Sequence, residues 1–553
     1  MSFLSASRAG IASPGVAKRV TAWHPNRAVP SRTSTRVTDP DLILAADFGT
    51  SGVKIGAVGP DLTVVAAVTE RYPLHLPAQS RAEQRPEDWW AALARGIARL
   101  GAEIPDLPAR TGAVVFAAQM CGLVCADDAG HPLRPAMVWL DKRSAALIRG
   151  KTGGFPKVAG YGARFLARSI RLANGAPSHN GMDPPGKMLW VAANEPEIYA
   201  RTAHLLDVKD WLILRATGEV TTTADSANLT WLMDTRRGRE GWSPQLAAHY
   251  GIPLDRLPRI VDGASVVEGL TAQAAGQLGL RPGTPVLGGG GDVSVTAIGS
   301  GAVADGALHL CVSTSSWVSG FFDRRVLNAF ASYATITASI DHRPLLIATQ
   351  EVAGSAMAWL ARAFGQPDDD AALDTFYREI GAPAPDDPYF LPWLAGERVP
   401  ADEERLRGAF HGLNLRHGPP ELKRAVTEGV ALNTRWVWDL VSKERGARTD
   451  GPLPLVGGAV ANPHLVRALA AALDRPVQVR DTAYAGMRGA AAMAAPAMGW
   501  SATVWDAAAT LGHSAAPVIE PDPQQRDLMA RRYDDLKHIR KALVKLYKRR
   551  GTA

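Results

Sequence analysis

One device occurs twice in this chain, and it limits the fold more than any other feature. Leu42 to Ala46 is an apolar strand that runs into Asp47-Phe48-Gly49-Thr50-Ser51-Gly52 and out again through Val53 to Val58. About 260 residues later, Ala307 to Val312 runs into Ser313-Thr314-Ser315-Ser316 and out through Trp317 to Phe321. A repeat at so long a period means paired domains rather than a solenoid, so lobes spanning 41–295 and 296–525 are expected. After the first hairpin, a third β-rich run from Leu62 to Val68 follows the Gly59-Pro60-Asp61 turn, and a helical pattern extends from Arg85 to Leu100 with Pro86 at its start. Strands interleaved with helices give an α/β class. The Gly/Pro-rich stretch Lys151–Lys187 reads as an irregular insertion on the first lobe.

Charge and cysteine usage narrow the partners. The chain carries 61 Lys+Arg against 54 Asp+Glu, a formal net charge of +7. The excess sits at the ends. Residues 1–38 hold Arg8, Lys18, Arg19, Arg27, Arg32 and Arg36 with no acid, and 526–553 sets a run of Lys and Arg against Asp527, Asp534 and Asp535. The body between is net acidic and has no basic stripe with interleaved aromatics, so no nucleic-acid partner is expected. Three cysteines (Cys121, Cys125, Cys311) suit a reducing compartment, which gives a cytoplasmic expectation, and none has partners at zinc-site spacing. No apolar window reaches transmembrane length, so no membrane partner is expected either. The leader 1–40 is expected to be disordered, with the Ser/Arg/Ala composition of a transit peptide or of an over-extended start. Residues 526–553, with Leu536, Ile539, Leu543 and Leu546 at helical spacing, are expected to form a basic amphipathic helix docked on its own lobe.

Three segments have the residue types for phosphate chemistry. In the first hairpin, the glycines let backbone N–H groups face an anion, Thr50, Ser51 and Lys54 add donors, and Asp47 ends a strand where a magnesium site needs a carboxylate. An ordinary hairpin with a capping Asp is the structural alternative. Gly288-Gly289-Gly290-Gly291 follows the apolar Pro285-Val286-Leu287 and delivers Asp292, a candidate general base whose alternative role is to cap the next helix at Val293. Pro454 to Asn462 reads as a strand, a glycine turn at Gly457-Gly458 and a helix start at Pro463, where a nucleotide can rest against backbone.

Further blocks stand in order along the chain: Ala82-Glu83-Gln84 through Trp89-Trp90; Trp139-Leu140-Asp141-Lys142-Arg143; Met182-Asp183-Pro184-Pro185-Gly186-Lys187 to Trp190; Leu391-Pro392 to Gly396-Glu397-Arg398; and Gly408 to Leu413 and on to Glu428. With the hairpins and Gly457-Gly458-Ala459, the chain resembles the FGGY family of carbohydrate kinases from about Leu42 to beyond Ala490. The resemblance implies two ribonuclease-H-like lobes of the actin-type ATPase fold, with ATP and a sugar in the cleft between them. It implies that Asp47, Gly49, Thr50, Ser51 and Lys54 hold phosphates and water-bridged Mg²⁺ at Asp47, and that Ser313, Thr314 and Ser315 face the β- and γ-phosphates. Gly457, Gly458 and Asn462 would line the adenosine side. Gln119, Met120, Cys121, Trp139 and Asp141 would read the sugar hydroxyls, and Asp292 matches the family's catalytic base.

The reaction this implies is phosphotransfer from ATP to a primary hydroxyl of a ketopentose, xylulose first, with a sugar acid such as gluconate or a polyol such as erythritol as alternatives. The expected partner is a small-molecule sugar, and a homodimer is the expected assembly. Two other readings stand beside this one: a non-catalytic nucleotide switch on the same fold, and a sugar-binding regulator that has lost turnover. Departures from the family pattern bear on them. Ser313 replaces a usual glycine and is expected to tighten the second phosphate loop. Cys121 replaces the histidine of xylulokinases and removes a hydrogen-bond donor. Pro185 stands where glycerol kinases place a tyrosine, which argues against glycerol. Ala193 and Thr427 break motif matches at positions expected to serve packing.

Overall fold

The computed structural model describes residues 40–367, 369–400, 403, 405–513 and 515–550; apart from Pro40, the basic leader lies outside them. Two sheets carry the chain, one of seven strands and one of eight among the described residues. In the first, β1 (Leu42–Phe48), β2 (Gly52–Val58) and β3 (Val64–Arg71) form an antiparallel meander, and β4 (Thr111–Ala118) and β5 (Pro285–Leu287) add in parallel on the other side of β1. In the second, β6 (Leu308–Val312), β7 (Ser316–Phe321) and β8 (Pro344–Gln350) form the meander, and β9 (Leu453–Val456) and β10 (Val477–Asp481) add beside β6. The order β3-β2-β1-β4-β5 is thus repeated as β8-β7-β6-β9-β10. The third strand starts two residues later than the apolar run because Leu62 takes the turn, with φ 60°.

β1 is apolar on both faces because both are covered. Leu42, Leu44, Ala46 and Phe48 enter an outer core shared with α1 (Pro86–Glu103), while Ile43 and Ala45 enter an inner core between the sheets. The inner core is built on two helices. α2 (Asp292–Gly299) follows the first sheet, and α3 (Ala485–Ala494), although it belongs to the second half in sequence, returns to pack against it. They cross backbone to backbone: a Cβ on Gly489 would fall on the carbonyl oxygen of Val295, and one on Gly299 on that of Ala485. The lobe boundary placed near 295 therefore falls inside a helix that both halves share.

The insertion is more ordered than its composition suggests. Ala163–Ala173 is a helix, closed by Asn174 in the left-handed conformation at φ 62°. The Asn174 side chain then donates to the carbonyls of Val326 and Thr335, both 2.9 Å away, at the edge of the second sheet.

The C-terminal helix, α4 (Pro523–Arg550), docks on the second lobe through Met529, Tyr533 and Leu536. Its Arg532 is buried, donates to the carbonyls of Asp387 (2.9 Å) and Pro388 (2.7 Å), and pairs with Glu428 at 3.0 Å. Among the described residues, no helix is long and apolar enough to cross a membrane.

Candidate functional site

Register places the predicted residues of the first lobe at one edge. Asp47 lies beside Lys54 on β2 and Ala117 on β4, and Ala117 lies beside Gly290; Phe48, Ala118 and Gly291 follow in the next row. The hairpin Gly49–Ser51, the segment Gln119–Cys121 and Asp292 therefore leave the carboxyl ends of adjacent parallel strands, the usual place for a ligand in such sheets.

The hairpin is tied to the indole face by a short polar chain. Trp139 Nε1 donates to Thr50 Oγ1 (2.9 Å), Gln84 Nε2 to the Thr50 carbonyl (2.7 Å), and Gln119 Nε2 to Gln84 Oε1 (2.8 Å). Below it, the Tyr72 hydroxyl donates to the carbonyls of Gly49 (2.5 Å) and Gly52 (3.1 Å). Tyr72 carries no local signature, and Gln84, although it stands in the Ala82–Trp90 block, shows its support of the turn only through contacts distant in sequence.

Asp292 is the first residue of α2, after Gly291 at the N-cap, and the Oδ1 of its half-buried carboxylate accepts the N–H of Val293 at 2.9 Å. Burial pushes its carboxyl up to about 7, and the negative field of Asp47 adds to the shift. Asp47 is itself raised by burial and lowered by Lys54. Each glycine before the base meets a neighbour. A Cβ on Gly289 would strike the Phe116 carbonyl, one on Gly290 the Ser339 hydroxyl, and one on Gly291 the Met120 thioether. Behind this loop, fully buried Asp225 accepts the Gly291 N–H at 2.7 Å and the Thr223 hydroxyl at 2.6 Å. Sequence reasoning missed it, since nothing in Thr221-Thr222-Thr223-Ala224-Asp225 announces a long-range partner.

On the expected sugar side, Cys121 is buried with φ 63°, and its Sγ lies 3.9 Å from Asp183 Oδ1. The buried ammonium of Lys187 holds the carbonyls of Cys121 (2.5 Å) and Val138 (2.7 Å), so one side chain fixes both the Cys121 and Trp139 segments. Burial brings that lysine down to about 8. Asp141 departs from expectation. It is fully buried and binds Arg143 (Nη2 to Oδ2, 2.7 Å) and the Ala82 N–H (2.8 Å), so it has no surface to offer a sugar and supports Arg143 instead.

In the second lobe, Ser313–Ser315 is a three-residue turn with the Ser313 N–H on the Ser315 carbonyl at 2.8 Å. Ser313 is not in the left-handed region, so serine in place of glycine brings no backbone strain. The N–H groups of Ala353 and Gly354, where the helix Gly354–Ala363 begins, grip the carbonyls of Thr314 (3.0 Å) and Ser313 (2.8 Å). Gly457 has φ 103°, and a Cβ there would lie 2.5 Å from the Val312 carbonyl. Asn462 caps the helix Pro463–Leu473, its Oδ1 accepting from the N–H groups of His464 (2.9 Å) and Leu465 (3.2 Å). Lys54 also differs from expectation: its Nζ donates to the Ala483 carbonyl at 3.0 Å, joining the first hairpin to the second lobe. Gly486 completes the junction, since a Cβ on it would fall on Asp47 Oδ2.

The donors at the first hairpin fit a hard divalent cation. Asp47 supplies a carboxylate and Thr50 and Ser51 supply hydroxyls, all oxygen, the set Mg²⁺ prefers. Gly457 and Gly354 let the segments that follow them close onto the carbonyls of Val312 and Ser313, where a Cβ would strike backbone.

Comparison with known proteins gives concordant findings. The pattern described as FGGY family of carbohydrate kinases, N-terminal domain, matches residues 42–299, and the C-terminal domain of the same family matches 332–498. A xylulose kinase of Escherichia coli (strain K12) is 30% identical over 392 residues, covering 70% of this chain and 76% of that protein. An erythritol kinase of Brucella abortus (strain 2308) is 28% identical over 498 residues, covering 86% and 92%. The solved structure of a gluconate kinase from Lactobacillus acidophilus superposes with a TM-score of 0.79 at 23% identity, covering 92% of this chain and 99% of that one.

Proposed function

This chain belongs to the FGGY family of carbohydrate kinases, with the paired lobes of the actin-type ATPase fold, and we propose that it phosphorylates a primary hydroxyl of a ketopentose, xylulose first. The observation that carries the reading is the meeting of Asp292, its carboxyl held near 7, with Asp47 and the Gly49–Ser51 hairpin at one sheet edge.

Asp292 accepts the proton of the acceptor hydroxyl as the bond from its oxygen to the γ-phosphorus forms and the bond to the bridging oxygen breaks, leaving ADP. The proton then passes from the carboxyl to solvent. Mg²⁺, when bound, would neutralise phosphate charge, and Asp47, Thr50 and Ser51 are the residues that would hold it. The turn at Ser313–Ser315 offers hydroxyls and backbone to the β- and γ-phosphates, and the Gly457-Gly458 surface takes the adenosine side. Met120 and the Trp139 face provide the apolar wall of the sugar site. Lys54 is assigned to holding the hairpin against Ala483 rather than to a phosphate.

A polyol or sugar-acid acceptor is the second reading. It is favoured by Cys121, whose thiol faces Asp183 and offers a weaker donor than an imidazole. ³¹P NMR of reactions with Mg-ATP and xylulose, gluconate or erythritol tests the proposal: one acceptor yields a phosphomonoester split by methylene protons. No such signal with any acceptor overturns it.

Gly457→Ala forces a side chain onto the Val312 carbonyl at a left-handed position. It is expected to raise KM for ATP by about tenfold or more while KM for the acceptor stays close to wild type. Steady-state kinetics with each substrate varied in turn checks this.

A further inference from the structure

We infer that Arg398, carried by the second lobe, determines acceptor specificity by binding the end of the acceptor remote from the phosphorylated hydroxyl; this rests on the phosphotransferase reading above. A row of side chains leads from the base to the guanidinium. Met120 packs against Gly291, next to Asp292. Cys121 comes next, with its Sγ 3.9 Å from Asp183 Oδ1. Met182 precedes Asp183, and Arg398 Nη2 reaches Met182 Sδ at 3.2 Å. Met182 and Asp183 are buried, whereas the Arg398 side chain keeps 30% of its surface. It is the charged member of the row with surface left for a ligand.

The guanidinium is anchored on one side. Glu351 Oε1 holds Nη2 at 2.6 Å, and the buried Glu397 accepts the Arg398 backbone N–H at 2.9 Å. Glu397 is fixed in turn by Asn433 Nδ2 at 2.5 Å. Among the described residues, Arg398 Nε and Nη1 have no hydrogen-bond partner, and a preorganised fork with free donors suits the oxygens of a hydroxyl-bearing or carboxylate terminus. The charge of Arg398 also acts on Asp183, favouring its ionised form against the burial that raises it. Glu351 lies three residues before Gly354, whose N–H grips the Ser313 turn, so one short segment anchors both the guanidinium and the second phosphate hairpin.

The test is steady-state kinetics of wild type, Arg398→Met, Arg398→Lys and Glu351→Gln with Mg-ATP and xylulose, gluconate or erythritol, each variant first checked for a cooperative thermal melt. Removing a hydrogen-bonding group that reads a substrate oxygen changes selection strongly. Arg398→Met is expected to raise KM for an acceptor of five or six carbons by about tenfold or more, with KM for ATP within about twofold. The four-carbon erythritol, which ends at least one carbon earlier than the other acceptors, is expected to change least, so the ratio of kcat/KM between acceptors moves. Arg398→Lys recovers part of the loss, and Glu351→Gln shifts the ratio in the same direction by less. A common factor across acceptors, or an unchanged acceptor KM in Arg398→Met, overturns the inference while leaving the kinase reading intact. Wild-type silence with every acceptor overturns the kinase reading itself, and the inference with it.

Discussion

The Asp292→Asn enzyme is expected to lose about 10³-fold in kcat while still binding ATP, because an amide cannot take the acceptor proton and general-base catalysis contributes about 10²–10⁴-fold. The pH dependence has a definite sign. The base works as the carboxylate, and burial with the neighbouring Asp47 holds its carboxyl at about 7. Acceptor kcat/KM therefore rises through about pH 7 and falls tenfold per unit below it. In Asp292→Asn that acid limb disappears and the residual rate is flat. ATP binding followed by a fluorescent analogue separates this loss from unfolding.

The second large effect concerns the helix crossing. Gly489→Val places branched carbons where the Val295 carbonyl and the Gly299 N–H already lie, the latter 2.7 Å from a single added Cβ. Neither backbone can retreat alone, because Val295 and Ile298 on one helix and Ala490 and Met493 on the other are buried in the same inner core. Overpacking a closed core costs about 1–3 kcal/mol, and here it acts on backbone rather than on a pliable side chain, so about 3 kcal/mol is expected at this site. Urea unfolding of wild type, Gly489→Ala and Gly489→Val measures it: the midpoint falls in that order with an unchanged slope. Activity falls with it, since α2 carries Asp292 at its start and α3 carries Gly486 against Asp47.

Much of the fold is legible in the sequence alone. Two strand–turn–strand segments with glycine or hydroxyl turns announce their geometry locally, since turn chemistry and strand alternation are encoded within a few residues. The glycine run before Asp292 is legible for a similar reason, although only the structure shows what each missing Cβ would strike. The features that stay hidden depend on partners distant in sequence. Ala485–Ala494 reads as an undistinguished Ala-rich run, and nothing local says that it returns to the first sheet. Asp141 looks free to bind a sugar because its burial and its bond to the Ala82 N–H are tertiary, although its other partner, Arg143, is only two residues away. Lys54 looks like a phosphate ligand because the Ala483 carbonyl is far away along the chain. The helix within Lys151–Lys187 is masked by glycines and prolines at both ends, which mark its borders rather than its interior.

The most direct test of the central claim is acceptor-dependent ADP release from Mg-ATP, measured for wild type and Asp292→Asn side by side with xylulose, gluconate and erythritol. Release is expected with one preferred acceptor, and its near-abolition in the variant at unchanged ATP affinity. Release in Asp292→Asn above about 5% of wild type, with ATP still bound, would contradict the assignment of the base, and wild-type silence with all three acceptors would contradict the proposed reaction.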